Sequence, residues 1–278
     1  IENGNIKWKM KDWNQNRHLK KKWQLKLKIK NDVFWISHAG IPFVWELKKA
    51  KKLSDLLKKY NIKTECIKAD LSKEKELKKL FSKAKKNLGP INCLINNAST
   101  FELDSIDNIN KKKWDYHMNV NLWAPIFLIK EFKKNLLKNT KGNIINIIDQ
   151  RVLNLTPFFT TYTLTKSSLW TLTKTLAMAL APNIRVNAIS AGPIKTLAAT
   201  GIGDFRFILK WNELNAPLKR NVSQDDVGNS ALYLLSDLGS AVTGEILHVD
   251  CGYHTVGMVA VDEAIKVSEL LSEFDKGQ

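Results

Sequence analysis

INCLINNAS, residues 91–99, is the stretch that decides the fold. Gly89-Pro90 precedes it and the polar TFELDS follows it, so an apolar run of strand length stands between two breaks. Such a run, apolar without alternation, reads as a strand covered on both faces, the condition of a parallel sheet. On its amino-terminal side, the Lys73–Leu88 stretch has helical periodicity, TECIKAD (64–70) predicts a short strand, and Leu47, Leu53, Leu56 and Leu57 predict a helix. On its carboxyl side come a helix over 110–137, the strand NIINIID (143–149) and a helix over 162–181 that stops near Pro182. The strand IRVNAIS (184–190), a loop and helices over 193–238, and the strand EILHVD (245–250) complete the order. Strands alternating with helices imply a doubly wound parallel α/β sheet. Without repeats or a linker, residues 47–258 read as one domain, 1–46 as an anomalous segment and 259–278 as a tail. Ligands of such sheets sit beyond the carboxyl ends of the strands, which puts Asn96–Ser99, Asp149 and the loop after Ser190 on one rim.

The 278 residues carry a formal charge of +17, which invites a nucleic-acid reading. Only five of the 44 basic residues are arginine, the residue of bidentate base and phosphate recognition, and the lysines are scattered along amphipathic stretches such as KEKELKKLFSKAKK. A solvated surface with no nucleic-acid partner is the expectation. The three cysteines, Cys66, Cys93 and Cys251, lie far apart without a CxxC pair, so neither a disulfide framework nor a metal centre is expected. No apolar run approaches a membrane span and the first twenty residues lack a hydrophobic leader core, so a cytoplasmic protein without membrane attachment is expected.

In IIDQRVLNLTPFFTTYTLTK (147–166), Asp149 precedes Tyr162 by thirteen residues and Lys166 follows it by four. Tyr162 and Lys166 share a face of the predicted helix. A free phenol titrates at about 10, and a nearby ammonium favours its ionised form, so Lys166 is expected to lower the Tyr162 pKa toward working pH. Tyr162 then serves as a proton donor with Asp149 beside it, an arrangement suited to protonating a carbonyl or imine while a hydride arrives.

ADLS with Asp70, NNAS at 96–99, NVNL with Asn121, YTLTK, RVNAI and AGPIKT stand in the order and spacing of the short-chain dehydrogenase/reductase family, which the chain resembles from about Leu53 to Asp250. The resemblance implies a Rossmann-like domain, NADPH or NADH as cofactor, a small-molecule substrate and a homo-oligomer, dimer or tetramer. It implies that Asp70 and Leu71 flank the adenine and that Asn97, Ala98 and Ser99 line the cofactor cleft. It further implies that Asn121 anchors a relay water near Lys166, that Lys166 also bonds the nicotinamide ribose, and that Gly192, Pro193, Ile194 and Thr196 contact the nicotinamide and phosphates. Asp149 stands where the family usually has a serine, and Ser99 where a glycine usually follows NNA. Both features resemble the pteridine reductase branch.

Residues 190–253 resemble instead the bacterial enoyl-acyl-carrier-protein reductases of fatty-acid synthesis. Those enzymes carry their catalytic tyrosine seven residues before the lysine, where this chain has Phe159. A junction near RVNAI or one divergent enzyme accounts for the mixture. The catalytic strip points to a pterin or similar cyclic imine, the downstream loop to an enoyl thioester.

The amino-terminal segment departs from both branches. A phosphate turn needs glycines that let backbone N–H groups approach the pyrophosphate, and before Gly89 the chain has only Gly4 and Gly40. Five of the nine tryptophans fall in the first 45 residues, among lysines. Back-translated and read one nucleotide later, KDWNQNR (11–17) can spell KIGIKIG, so a frame-shifted first βα unit is one explanation and an unrelated extension the other. As written, the segment is expected to pack poorly, to leave the sheet without its first strand, and to weaken cofactor binding. A catalytically inert scaffold is therefore the competing class.

Overall fold

The computed structural model describes residues 36–37, 54–55, 58, 63–194, 205–257, 266, 269 and 272, with the side chains of 36, 37 and 205 excepted. All belong to one compact unit, Val33–Gln278. Five parallel strands lie in sequential order: β1 (Ile36–Ser37), β2 (Cys93–Asn96), β3 (Gly142–Asp149), β4 (Ile184–Ala191) and β5 (Ile246–Val249). The helices are α1 (Glu74–Leu88), α2 (Lys111–Met118), α3 (Ala124–Asn135), α4 (Thr160–Leu180), α5 (Phe205–Asn215) and α6 (Gln224–Leu235). A π-helical turn, Asn119–Trp123, joins α2 to α3.

Side chains alternate across a strand, so neighbours in β3 enter different layers. Ile144 packs with Leu77, Leu80 and Phe81 of α1, Leu128 and Phe132 of α3 and Val186 of β4, while Ile145 packs with Ile95, Ile189 and Leu234. Leu77, Leu94, Leu128 and Phe132 are fully buried, and each contributes roughly 1.5–3 kcal/mol by leaving water. A side chain at Gly142 would put its Cβ 2.9 Å from Phe132 Cε1, so β3 can start beneath α3 only with glycine. Asparagines interrupt the apolar interior, and the Nδ2 groups of three of them find acceptors. Asn96 Nδ2 donates to Asn146 Oδ1 (2.8 Å), Asn146 Nδ2 donates to Thr173 Oγ1 of α4 (2.9 Å), and Asn143 Nδ2 donates to Leu234 O (3.0 Å).

The expected parallel α/β architecture is observed, with two differences at its amino-terminal edge. Residues 63–70 form no strand. A parallel strand exists only through pairing, and the two described residues of β1 pair with Ile95 and Asn96 of β2. Conversely, the first strand expected to be missing is present as β1, in a stretch rich in β-branched and aromatic residues, VFWIS. The helix expected from Leu47 falls largely outside the described residues, as does the rest of 1–46. Among the described residues no helix is long and apolar enough to cross a membrane.

Candidate active site

The carboxyl ends of β2, β3 and β4 deliver Asn97–Ser99, Asp149 and Gly192–Ile194 to one rim, and the first two turns of α4 deliver Tyr162 and Lys166. The amino terminus of α4 is set by an unusual residue. Phe159 precedes the helix in the left-handed region (φ 60°, ψ 40°), an uncommon conformation for a bulky side chain that only its surroundings can hold. Its N–H donates to Asp104 O (2.7 Å), and its ring stacks on Phe101 at 4.4 Å. The fully buried Asp104 carboxylate accepts from Thr161 N and Thr161 Oγ1, the position at which a carboxylate satisfies free N–H groups and the positive end of the helix. Thr161 Oγ1 also lies 2.8 Å from His117 Nδ1 of α2. The loop after β2 is thereby clamped to the helix that carries the tyrosine.

Tyr162 Oη donates to Asp149 Oδ2 at 2.9 Å, and its ring meets Phe101 edge-on at 4.5 Å. Asp149 Oδ1 accepts from Arg151 N at 2.8 Å, so both carboxylate oxygens are engaged. Lys166 lies on the same helix face, buried, with its Nζ donating to Ile147 O at 2.9 Å and lying 5.6 Å from the Tyr162 ring centroid. The electrostatics reverse the sequence-based expectation for Tyr162. Burial, and then the Asp149 carboxylate as both charge and acceptor, push the phenol well above its ordinary pKa, while Arg151 and Ser99 act the other way. The Lys166 ammonium donates to the Ile147 carbonyl, and burial lowers its pKa to about 8 against the pull of Asp149.

Asn121 is fully buried in the π-helical turn, a common position for functional residues. Its Oδ1 accepts from Thr100 N (2.7 Å) and Ser99 Oγ (3.2 Å), and its Nδ2 donates to Thr100 O (2.9 Å) and Thr165 Oγ1 (3.2 Å). It thus ties the NNAS loop to α4 one residue before Lys166, with its side-chain bonds directed to protein groups. Leu71, Ala98 and Val120 line a small hollow beside β2. Burial works against ionisation of Asp70, but hydrogen bonds from Ser72 and Lys73 hold its carboxyl below the usual range. Gly192 donates to Val249 O (2.9 Å), and a Cβ there would lie 3.1 Å from Asp250 Cα and Val222 Cγ2. Ile194 packs near Ala216 and Val222, Pro193 has no regular structure, and Thr196 lies outside the described residues.

Asp104, Thr161, Phe101 and Arg151 were missed from the sequence. The available signal was Arg151, one of only five arginines and two residues from Asp149. A second polar group, His248 in β5 and Asp250 and His254 just after it, has its ligand-type atoms within 4.8 Å of one another. Asp250 is already engaged there, accepting from Gly252 N (3.0 Å) and His254 N (2.8 Å) as the cap of a turn.

A parallel sheet whose rim carries a tyrosine and a lysine four residues apart, with an asparagine-bearing π turn behind them, defines the class of short-chain dehydrogenases/reductases. Within it, the chain belongs to the enoyl-(acyl carrier protein) reductase family, whose pattern matches residues 43–254. It is 44% identical to the NADH-dependent enoyl-acyl-carrier-protein reductase 1 of Rhizobium meliloti strain 1021, over 66% of this chain and 68% of that one. It is 62% identical to the NADPH-dependent enoyl-acyl-carrier-protein reductase of Staphylococcus aureus strain MRSA252, over 33% of this chain and 36% of that one. Among solved structures it resembles the FolM alternative dihydrofolate reductase 1 of Brucella canis complexed with NADP, with 33% identity, a TM-score of 0.67, and coverage of 78% of this chain and 83% of that one.

Proposed function

We propose that the chain is an NAD(P)H-dependent reductase of a cyclic imine such as a dihydropterin, with Tyr162 as proton donor, Asp149 as its partner, and Asn121 and Lys166 organising the site. The observation that carries this reading is the 2.9 Å hydrogen bond from Tyr162 to Asp149, together with Phe159 at the position seven residues before Lys166. Phe159 has no hydroxyl with which to polarise a thioester carbonyl.

The residues fit a nicotinamide dinucleotide at its ribose and nicotinamide end. Lys166 is a buried ammonium that uses one of its three N–H groups on Ile147 O, which leaves donors for a ribose hydroxyl. Gly192–Ile194 and Asn97–Ser99 would flank the ring and ribose, and Asp70 and Leu71 would flank the adenine. When bound, the cofactor supplies the hydride. Reduction of C=N adds that hydride to carbon and a proton to nitrogen. Tyr162 Oη holds the proton, and the raised pKa keeps it there until a basic imine nitrogen accepts it. The phenolate left behind is reprotonated from solvent.

The test is turnover of dihydrobiopterin and of a crotonyl thioester, each with NADH and with NADPH. Reduction of the pterin without the thioester is expected. Turnover of the thioester alone would transfer the chain to enoyl-acyl-carrier-protein reduction, the reading favoured by the Rhizobium meliloti relative. The missing glycine turn favours an inert scaffold, and absence of calorimetric heat with either cofactor up to millimolar concentration would establish it.

The domain limits 47–258, flanked by 1–46 and 259–278, are supported by the family match over 43–254. A homo-oligomer is supported by Trp123, Leu164 and Met178, exposed in the α2–α3 and α4 region. Light scattering is expected to give two or four times the 31.7 kDa chain mass, and a monomer would refute it. Several described lysines lie in local ion pairs, Lys73 with Asp70, Lys78 with Glu74 and Lys111 with Asp115, which supports a solvated surface without a nucleic-acid partner.

A further inference from the structure

We propose that Arg151 selects the acceptor. Its guanidinium takes a ring carbonyl or anionic oxygen next to the reduced C=N bond, and it rejects acceptors that lack one. This deepens the imine-reductase reading and rests on it.

Arg151 is the second residue after Asp149, on the 3-10 turn Gln150–Val152 that Asp149 caps by accepting from Arg151 N. The turn folds the side chain back over the site, where it is 14% exposed. Its Cζ lies 4.8 Å from the Phe159 ring centroid and 5.3 Å from that of Phe101. Its Nε is buried without a partner, and Nη1 stops 4.0 Å from Asp149 Oδ2, beyond hydrogen-bond distance. Burial of Lys166 can be relieved by losing a proton, but a guanidinium stays charged in proteins. The ring contacts offset part of the cost, and beyond the 4.0 Å ion-pair contact with Asp149 the planar fork of donors has no acceptor among the described residues.

The chemistry of the acceptor follows from what shares this corner. Tyr162 Oη is held by the same carboxylate, so the oxygen that completes Arg151 must lie close to the nitrogen that Tyr162 protonates. A dihydropterin has that layout, with a ring carbonyl beside the imine nitrogen on a flat, rigid frame. A crotonyl thioester offers a single carbonyl, which the proton donor would need, and hydrocarbon elsewhere. Binding it would cover the guanidinium without giving its buried Nε a partner. A missing hydrogen-bond partner of this kind discriminates far more strongly than a difference in apolar shape.

The experiment uses the full chain with Arg151→Met and Arg151→Lys. Biopterin binding is read by fluorescence titration with oxidised cofactor present, and turnover is compared on dihydrobiopterin and on dihydroisoquinoline, a flat cyclic imine without oxygen. Arg151→Met is expected to weaken biopterin binding between about tenfold and a hundredfold. The loss should appear mainly in KM, the preference of wild type for dihydrobiopterin over dihydroisoquinoline should collapse, and thermal stability should hold. Arg151→Lys should recover only part of the loss, since an ammonium lacks the fork. Biopterin affinity within threefold of wild type in Arg151→Met, with the substrate preference intact, would overturn the role of Arg151 while leaving the imine-reductase reading in place. A wild-type protein that reduces neither imine but turns over crotonyl thioester would overturn both.

Discussion

Replacing Tyr162 with phenylalanine is expected to lower kcat for the imine by at least about a hundredfold, the usual worth of a positioned general acid, with the fold unchanged. The ring keeps its edge-on contact with Phe101 and its buried place at the start of α4, so packing is conserved. Only the hydroxyl is lost. Asp149 then gives up the donor to Oδ2 but retains Arg151 N on Oδ1, and its side chain is 21% exposed, so water can replace the phenol. Cofactor affinity measured calorimetrically should therefore be conserved while turnover disappears. Retention of more than about a tenth of kcat would remove Tyr162 from the proton path.

Lys166→Met should combine the loss of activity with a gain in stability. A lysine that titrates at 10.5 when unfolded and at about 8 in the folded protein is held in the interior at a cost of about 3 kcal/mol at neutral pH. Between pH 8 and 10.5 the unfolded chain binds this proton and the folded chain does not, so the Lys166 contribution makes the protein more stable as pH rises through that window. Tyr162 works in the opposite sense above its ordinary pKa of 10, because the folded state keeps a proton that the unfolded state releases. Methionine fills similar space without charge. Urea unfolding of Lys166→Met is expected to show higher stability than wild type at pH 7, with the advantage shrinking toward pH 10, while reductase turnover is abolished. Equal stability of the two proteins across that range would mean that the ammonium is solvated in the folded state.

The parts of the fold legible in the sequence were those with long, unambiguous patterns. NIINIID and IRVNAIS could only be buried strands, and the Thr-rich helix up to Pro182 placed Tyr162 and Lys166 on one face. TECIKAD had a strand's composition, but composition does not say whether a neighbour is available to pair. The same limit applies to the site. Four-residue spacing brings Tyr162 and Lys166 to one side of α4, yet the direction of a four-carbon stem depends on which carbonyl it meets, and Ile147 O is contributed by β3. The reversed shift at Tyr162 comes from burial and from the Asp149 carboxylate that accepts its hydroxyl, neither of which the spacing reveals. Asn121, expected from resemblance to anchor a relay water near Lys166, bonds Ser99, Thr100 and Thr165, contacts that the sequence does not reveal. Arg151 offered only the signal of a rare arginine beside Asp149, because its place at the site comes from the three-residue turn that follows β3.

The asparagine pair inside the sheet has a mechanical meaning. Asn96 and Asn146 are register partners on β2 and β3, and their amides meet each other and Thr173 in an otherwise apolar layer. Sliding β3 by one residue would strand both amides, at about 1–3 kcal/mol apiece, and turn every side chain of the strand to the opposite face. The pair therefore works as a detent, and the two strand ends that carry Asn97 and Asp149 keep one fixed separation. Adjustment of the cleft to substrates of different length must come from the connecting segments at 99–104 and 150–159, because the strands beneath them cannot ratchet.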